Sequence, residues 1–170
     1  IFGTAHGAIE IIKGLKLKEV LSYDYSIQKD ARYFNALSGA GPKSGSDAQS
    51  SKGFIEYGKL ISSTSLNYVR TFANKHHLDV LAAYEAESFQ TDKAAGEKSK
   101  MPSDQLFEPD NAAVINSFVS STQDYRLLSY LTRLNYDYDN RYYIAGSFRR
   151  DGSSRLAPEH RWGNFWSVSG

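Results

Sequence analysis

The chain has 170 residues, a formal net charge of +1 and no cysteine. That length suits one domain of ordinary size, and the near-neutral balance gives no bulk electrostatic drive toward nucleic acid or an acidic substrate. Without cysteine there are no disulfides, Cys-ligated metals or Cys nucleophiles, and no apolar run reaches the ~18 residues of a helical membrane span.

Aromatic residues make up 14% of the chain, with 12 Tyr, 9 Phe and 2 Trp. A soluble β-protein can have this composition, and so can a membrane barrel, because only alternate strand residues meet lipid. The first element, residues 1–12, alternates small and apolar side chains. The second, residues 15–28, has the clearest pattern. Leu15, Leu17, Leu21, Tyr23, Tyr25 and Ile27 fall on one face, and Lys16, Lys18, Ser22, Asp24, Ser26 and Gln28 on the other. Glu19 and Val20 are the exceptions. Period two is the strand signature, and a helix would mix the two sets.

Residues 54–72 form the third segment, with Leu66 and Tyr68 opposed to Ser65 and Asn67. The fourth, 78–89, sets Leu78, Val80, Ala82 and Tyr84 against Asp79, Glu85 and Glu87. In the fifth, 125–138, Leu128, Tyr130, Leu134, Tyr136 and Tyr138 oppose Ser129, Arg133, Asn135 and Asp137. The sixth, 141–151, places Tyr142, Ile144 and Phe148 together, and a seventh begins at Phe165. The reading is therefore all-β, with about seven antiparallel up-and-down strands.

The connections alternate in length. Lys13-Gly14, Ala73-Asn74-Lys75-His76 and Asp139-Asn140 are short, whereas residues 29–53, 91–123 and 152–163 are long. In a meander this places every short turn on one side and every long loop on the other, the asymmetry of outer-membrane barrels. The segments also exceed the ~9–11 residues that cross a bilayer. Tyr136, Tyr138, Tyr142 and Tyr143 flank one short turn, as an interfacial aromatic belt would. A sealed bacterial barrel needs about eight strands or more. Residues 1–170 thus read as a partial transmembrane β-barrel domain, and the abrupt ends at Ile1 and Gly170 as those of a segment of a longer protein.

The last third carries a family resemblance. Residues 129–138 lead into 141–148, then Arg149-Arg150-Asp151-Gly152-Ser153-Ser154-Arg155-Leu156, then Arg161-Trp162-Gly163-Asn164-Phe165-Trp166-Ser167-Val168-Ser169. This resembles the SusC/RagA-type TonB-dependent transporters of Bacteroidota. Leu156 stands where Phe is common in that family, and Asn164 and Trp166 where Tyr and Pro are common. Residues 7–25 also look like a strand pair of that family. The resemblance implies a barrel of the 22-stranded type in the bacterial outer membrane, closed by a plug that is not part of this segment. It further implies import of oligosaccharides or peptides, energy from TonB through that plug, and a SusD-like lipoprotein lid. Outer-membrane lipid would surround the wall, and neither a cofactor nor nucleic acid is implied.

Candidate sites divide between plain and sharper readings. Arg149, Arg150, Asp151, Arg155, Arg161 and Trp162, with Glu159, suggest an outer-rim loop held by ion pairs, and direct ligand contact is the sharper reading. His76 and His77 are adjacent, so on a strand they point apart, which disfavours one shared metal. Glu85 and Glu87 lie about 7 Å apart by strand rise, a spacing open to inverting glycosidase chemistry but more simply a polar, hydrated wall. Residues 39–46 superficially evoke a phosphate loop without its spaced Gly-Lys-Ser/Thr opening a helix. Phe34, Phe107 and Phe118 are loop aromatics that could stack on sugars. No catalytic residue emerges. Alternatives to the importer segment are a soluble β-sheet ligand-binding module and a barrel segment of a siderophore or vitamin receptor.

Overall fold

The computed structural model describes residues 1–37 and 47–170. Among these, seven strands form one sheet in sequential order: β1 (Phe2–Ile12), β2 (Leu15–Phe34), β3 (Gln49–Phe72), β4 (His76–Ser99), β5 (Val114–Tyr138), β6 (Tyr142–Ser153) and β7 (Trp162–Ser169). The ladders β1/β2, β5/β6 and β6/β7 are antiparallel.

The short turns are built by left-handed residues. Ala73 and Asn74 both have positive φ, as do Asp139 and Asn140. Their flanking residues close Lys75 N–H to Phe72 C=O at 3.4 Å and Arg141 N–H to Tyr138 C=O at 3.0 Å. Two consecutive positive φ values match the twist of the strands they join. In the first hairpin, Gly14 supplies φ +86°.

The long connections are shorter than the sequence pattern predicts. β2 runs on to Phe34, β3 begins at Gln49, β4 continues to Ser99 and β5 starts at Val114. Much of residues 29–53 and 91–123 is therefore strand, and β6 and β7 likewise trim 152–163. The physical reason is that period-two reading needs one apolar face. Stretches such as Lys29-Asp30-Ala31-Arg32 and Ser50-Ser51-Lys52 are polar on both.

The chain divides into two compact units. The first comprises residues 1–24, 59–89 and 124–170. Its strands have one apolar and one polar face. Register places Leu134 opposite Gly146 and Val168, Thr132 opposite Phe148 and Trp166, and Tyr136 opposite Ile144. On the reverse face Arg133 is opposite Ser147, which meets Ser167 at 2.8 Å. Asn67 donates to Asp79 there at 2.7 Å, and Arg133 lies 3.7 Å from the same carboxylate.

The second unit comprises residues 25–58 and 90–123. Tyr25 donates to Glu56 at 2.8 Å, Ser50 to the Phe107 carbonyl at 2.5 Å, and Lys52 pairs with Glu108. Ala48 and Ala112 are the buried apolar side chains among the described residues, and no large side chain there is fully buried. A soluble domain of this length would bury most of its large apolar side chains. Here Leu134, Ile144, Phe148, Trp166 and Val168 are all exposed.

Candidate functional site

The polar face of the first unit carries a compact group of charged and aromatic side chains, contributed by three strands and one connection. Lys59 of β3 and Glu87 of β4 form an ion pair at 3.0 Å. Glu87 is well shielded, its side chain 13% exposed. Tyr125 of β5 donates its hydroxyl to the other Glu87 oxygen at 3.0 Å. The ring of Tyr125 stacks on Phe89, with centroids 4.9 Å apart and planes 26° from parallel. The guanidinium of Arg155, from the β6–β7 connection, lies 4.0 Å from the same ring centroid.

Period two explains the grouping. Lys59, Glu87, Phe89 and Tyr125 share the face that also holds Asn67, Asp79 and Arg133. The main chain fixes Arg155 in turn. Ser154 N–H donates to the Arg126 carbonyl at 3.0 Å, and Arg126 N–H to Ser154 Oγ at 2.8 Å.

The rim residues singled out by sequence do not form one charge network. Arg149 donates through Nε to both Asp151 oxygens at 2.8 Å on the polar face. Arg150 points the other way, 4.8 Å above the Trp162 ring, and Trp162 also packs against Tyr130. Trp162 covers Gly152, where an added Cβ would meet the ring at 2.8 Å. Arg161 donates Nε to the Leu156 carbonyl at 3.1 Å. Adjacent residues of a strand take opposite faces, which splits Arg149 from Arg150.

The other candidates are dispersed. His76 Nδ1 meets Tyr136 Oη at 2.6 Å, while His77 Nδ1 meets Thr71 Oγ1 at 2.9 Å. His76 stacks on Phe72 and tilts against Tyr138, which in turn stacks on Tyr142, giving an aromatic cluster beside the short turns. Tyr143 pairs with Asp137 on the opposite face and does not join it. Among the described residues no cluster of His or carboxylates has metal-site geometry. Of Glu85 and Glu87, Glu87 is engaged by Lys59 and Tyr125. Phe118 packs beside Gly96 in the second unit, and the Phe107 carbonyl accepts from Ser50. Residues 39–46, with their phosphate-loop likeness, lie outside the described residues.

One polar exception interrupts the apolar face. Glu19 of β2 accepts hydrogen bonds from Ser62 at 2.7 Å and from Thr64. In the second unit, Tyr33 donates to Asp104 at 2.5 Å. That bond to a carboxylate raises the Tyr33 phenol above its ordinary range. Hydrogen bonds from Thr122, then Gln90, hold the Asp92 carboxyl below its usual range.

Sequence reasoning missed Tyr125 as the partner of Arg155, and Lys59 and Phe89 as the side chains that hold Glu87 and Tyr125 in place. No linear signal links them, because they lie on separate strands with long separations.

No protein-family model matches the chain. Two curated TonB-dependent receptors of Formosa agariphila are each 26% identical to it, over 172 and 165 residues. These alignments cover 95% and 94% of this chain but 16% of each receptor. The TonB-dependent receptor SusC of Bacteroides thetaiotaomicron is 40% identical over 62 residues, 36% of this chain and 6% of that receptor. Among solved structures, the RagAB peptide transporter superposes with a TM-score of 0.90 at 22% identity, covering 98% of this chain and 19% of that one. The RagAB importer in its open-open state gives 0.87. The fold is thus that of a stretch of barrel wall, and the chain spans a minor part of the length of each protein it matches.

Proposed function

We propose that this chain, a barrel segment of a SusC/RagA-type TonB-dependent transporter, forms wall in a bacterial outer membrane, its apolar face toward lipid and its polar face toward the lumen. The observation that carries this reading is the two-faced sheet without a core. Trp166, Val168 and Ile144 stay 77%, 70% and 52% exposed. In water such a surface is a liability of the kind that marks membrane or protein contact. In a bilayer it is the lipid-facing band of a barrel. The aromatic cluster of Phe72, His76, Tyr136, Tyr138 and Tyr142 lies at the short-turn end, where a periplasmic girdle belongs.

The full-length protein of which this is a wall segment imports an oligosaccharide or peptide. Energy reaches it from TonB through a plug, and a SusD-like lipoprotein covers its outer mouth. Support comes from relatives that are receptors of this class and from a solved neighbour that transports peptides. The first unit, with one apolar and one polar face, is the membrane-crossing part.

The test is fractionation of the native cell together with folding of the purified full-length protein. The protein should partition with the outer membrane and show heat-modifiable migration in detergent. The isolated 170 residues should aggregate in plain buffer. A cooperative, two-state urea transition of those residues without detergent would refute the membrane reading.

A further inference from the structure

We propose that Arg155 is a carboxylate-recognition subsite on the polar face, engaging an acidic group of the imported cargo. The inference deepens the import reading above and rests on it.

A guanidinium is a planar fork whose N–H edge matches a carboxylate in bidentate geometry. To recognise one well it must be held in place without its edge being used up. Arg155 meets both conditions. Its guanidinium carbon lies over the Tyr125 ring, 4.0 Å from the centroid. That ring is fixed by Phe89 and by its hydroxyl bond to Glu87, and Glu87 is fixed by Lys59. Two Arg126–Ser154 hydrogen bonds, one between main chains and one accepted by the Ser154 hydroxyl, hold the adjoining backbone. The ring contact holds the guanidinium by its central carbon, and among the described residues its side-chain N–H groups make no hydrogen bond or ion pair; the hydrogen bond Arg155 donates is from its backbone N–H to Ser153.

Neighbouring carboxylates are committed elsewhere. Glu87 is taken by Lys59 and Tyr125, and Asp151 by Arg149. Among the described residues Arg155 forms no ion pair, and its side chain is exposed. Each of its companions differs in one respect. Arg149 is neutralised by Asp151, Arg150 lies on the apolar face, and Arg161 spends Nε on the Leu156 carbonyl. A preorganised, unopposed fork on a lumen-facing wall favours anionic over neutral cargo, because a charge-assisted bond outweighs a neutral one.

The carboxylate has two possible sources, a uronate sugar or an acidic peptide. Full-length transporter purified in detergent is titrated calorimetrically with tetragalacturonate against galactotetraose, and with tetraglutamate against tetraglutamine. At least one acidic probe should bind more tightly than its neutral counterpart, and which one does identifies the source. That preference should fall roughly tenfold or more in Arg155→Ala. Arg155→Lys keeps the charge without the fork and should retain only part of it; this variant carries the test should Arg155→Ala fail to assemble. Arg161→Ala should leave the preference intact. A wild-type protein without preference for either acidic probe, or a preference unchanged by both Arg155 substitutions, overturns the proposal. Heat-modifiable migration is recorded on the same preparations. Its loss in the wild type would count against the barrel itself, whereas an intact barrel without carboxylate preference refutes the subsite alone.

Discussion

Placing an arginine at Leu134 should damage the protein far more than placing one at its neighbour Asn135. Leu134 lies on the apolar face, 44% exposed and opposite Gly146, which has no side chain to shelter a charge. It is five residues from the turn residue Asp139. At a strand rise of about 3.3 Å and a tilt of about 40°, that is roughly 12–13 Å of height, near the middle of an apolar band about 25 Å tall. Arginine at the lipid-facing midplane of a barrel costs about 2–4 kcal/mol. Asn135 faces the lumen opposite Ala145, where a surface-like cost within about 0.5 kcal/mol applies. The two variants should therefore differ by about 1.5–4 kcal/mol, roughly 10- to 700-fold in folded-to-unfolded ratio. The assay is a urea titration of full-length protein folded into phospholipid vesicles, read by electrophoretic mobility. Equal losses, or a larger loss at Asn135, would show that the faces are assigned the wrong way round.

The other predictions follow from the same face assignment and from the turns. Ser62→Ala with Thr64→Val should destabilise the barrel more than Glu19→Leu, because it strands a carboxylate on the lipid face rather than removing it; the same urea titration would refute this by giving the reverse order. Gly14→Ala should cost about 1–2 kcal/mol from its positive φ alone. Its Cβ would also lie 2.2 Å from the Val69 carbonyl oxygen, so faster hydrogen exchange at the Val69 amide is the expected sign. Gly152→Ala should push Trp162 off the strand and break its contact with Arg150, read as altered Trp162 fluorescence in a Trp166→Phe background. Tyr33, its phenol raised by donating to Asp104, contributes stability that is fully present below the ordinary tyrosine value of about 10 and is lost as pH rises through the higher folded value. Protease cutting in residues 100–113 should increase across that range, and Tyr33→Phe should abolish the pH dependence.

Legibility in the sequence tracked the polarity contrast between faces. Residues 15–28 and 125–138 could be read directly, because alternation is strong wherever one face is apolar and the other polar. Where both faces are polar, alternation fades and strand reads as loop; β4 continues to Ser99 for that reason unannounced. The turns were legible too. Asp139-Asn140 carries left-handed φ as such residues readily do. Ala73 does so without that chemistry, held by the strands on either side of it.

The rim motif shows where linear reading stops. Arg149-Arg150-Asp151 reads as one charge cluster because the residues are contiguous. Strand geometry instead sends Arg150 to the apolar face over Trp162 and keeps Arg149 with Asp151 on the polar face. The ion pair is thus an i, i+2 contact along one face, and the middle arginine serves as an interfacial side chain, its stem on the apolar surface. Arg155 lies past the strand end, where period two no longer applies. Its partner Tyr125 comes from the start of the sheet pairing that Arg126 and Ser154 extend beyond the regular β5/β6 ladder. Only a contact made across the hairpin could single Arg155 out from its three arginine companions. The motif therefore supplies the arginines, and strand geometry decides which face and which partner each of them takes.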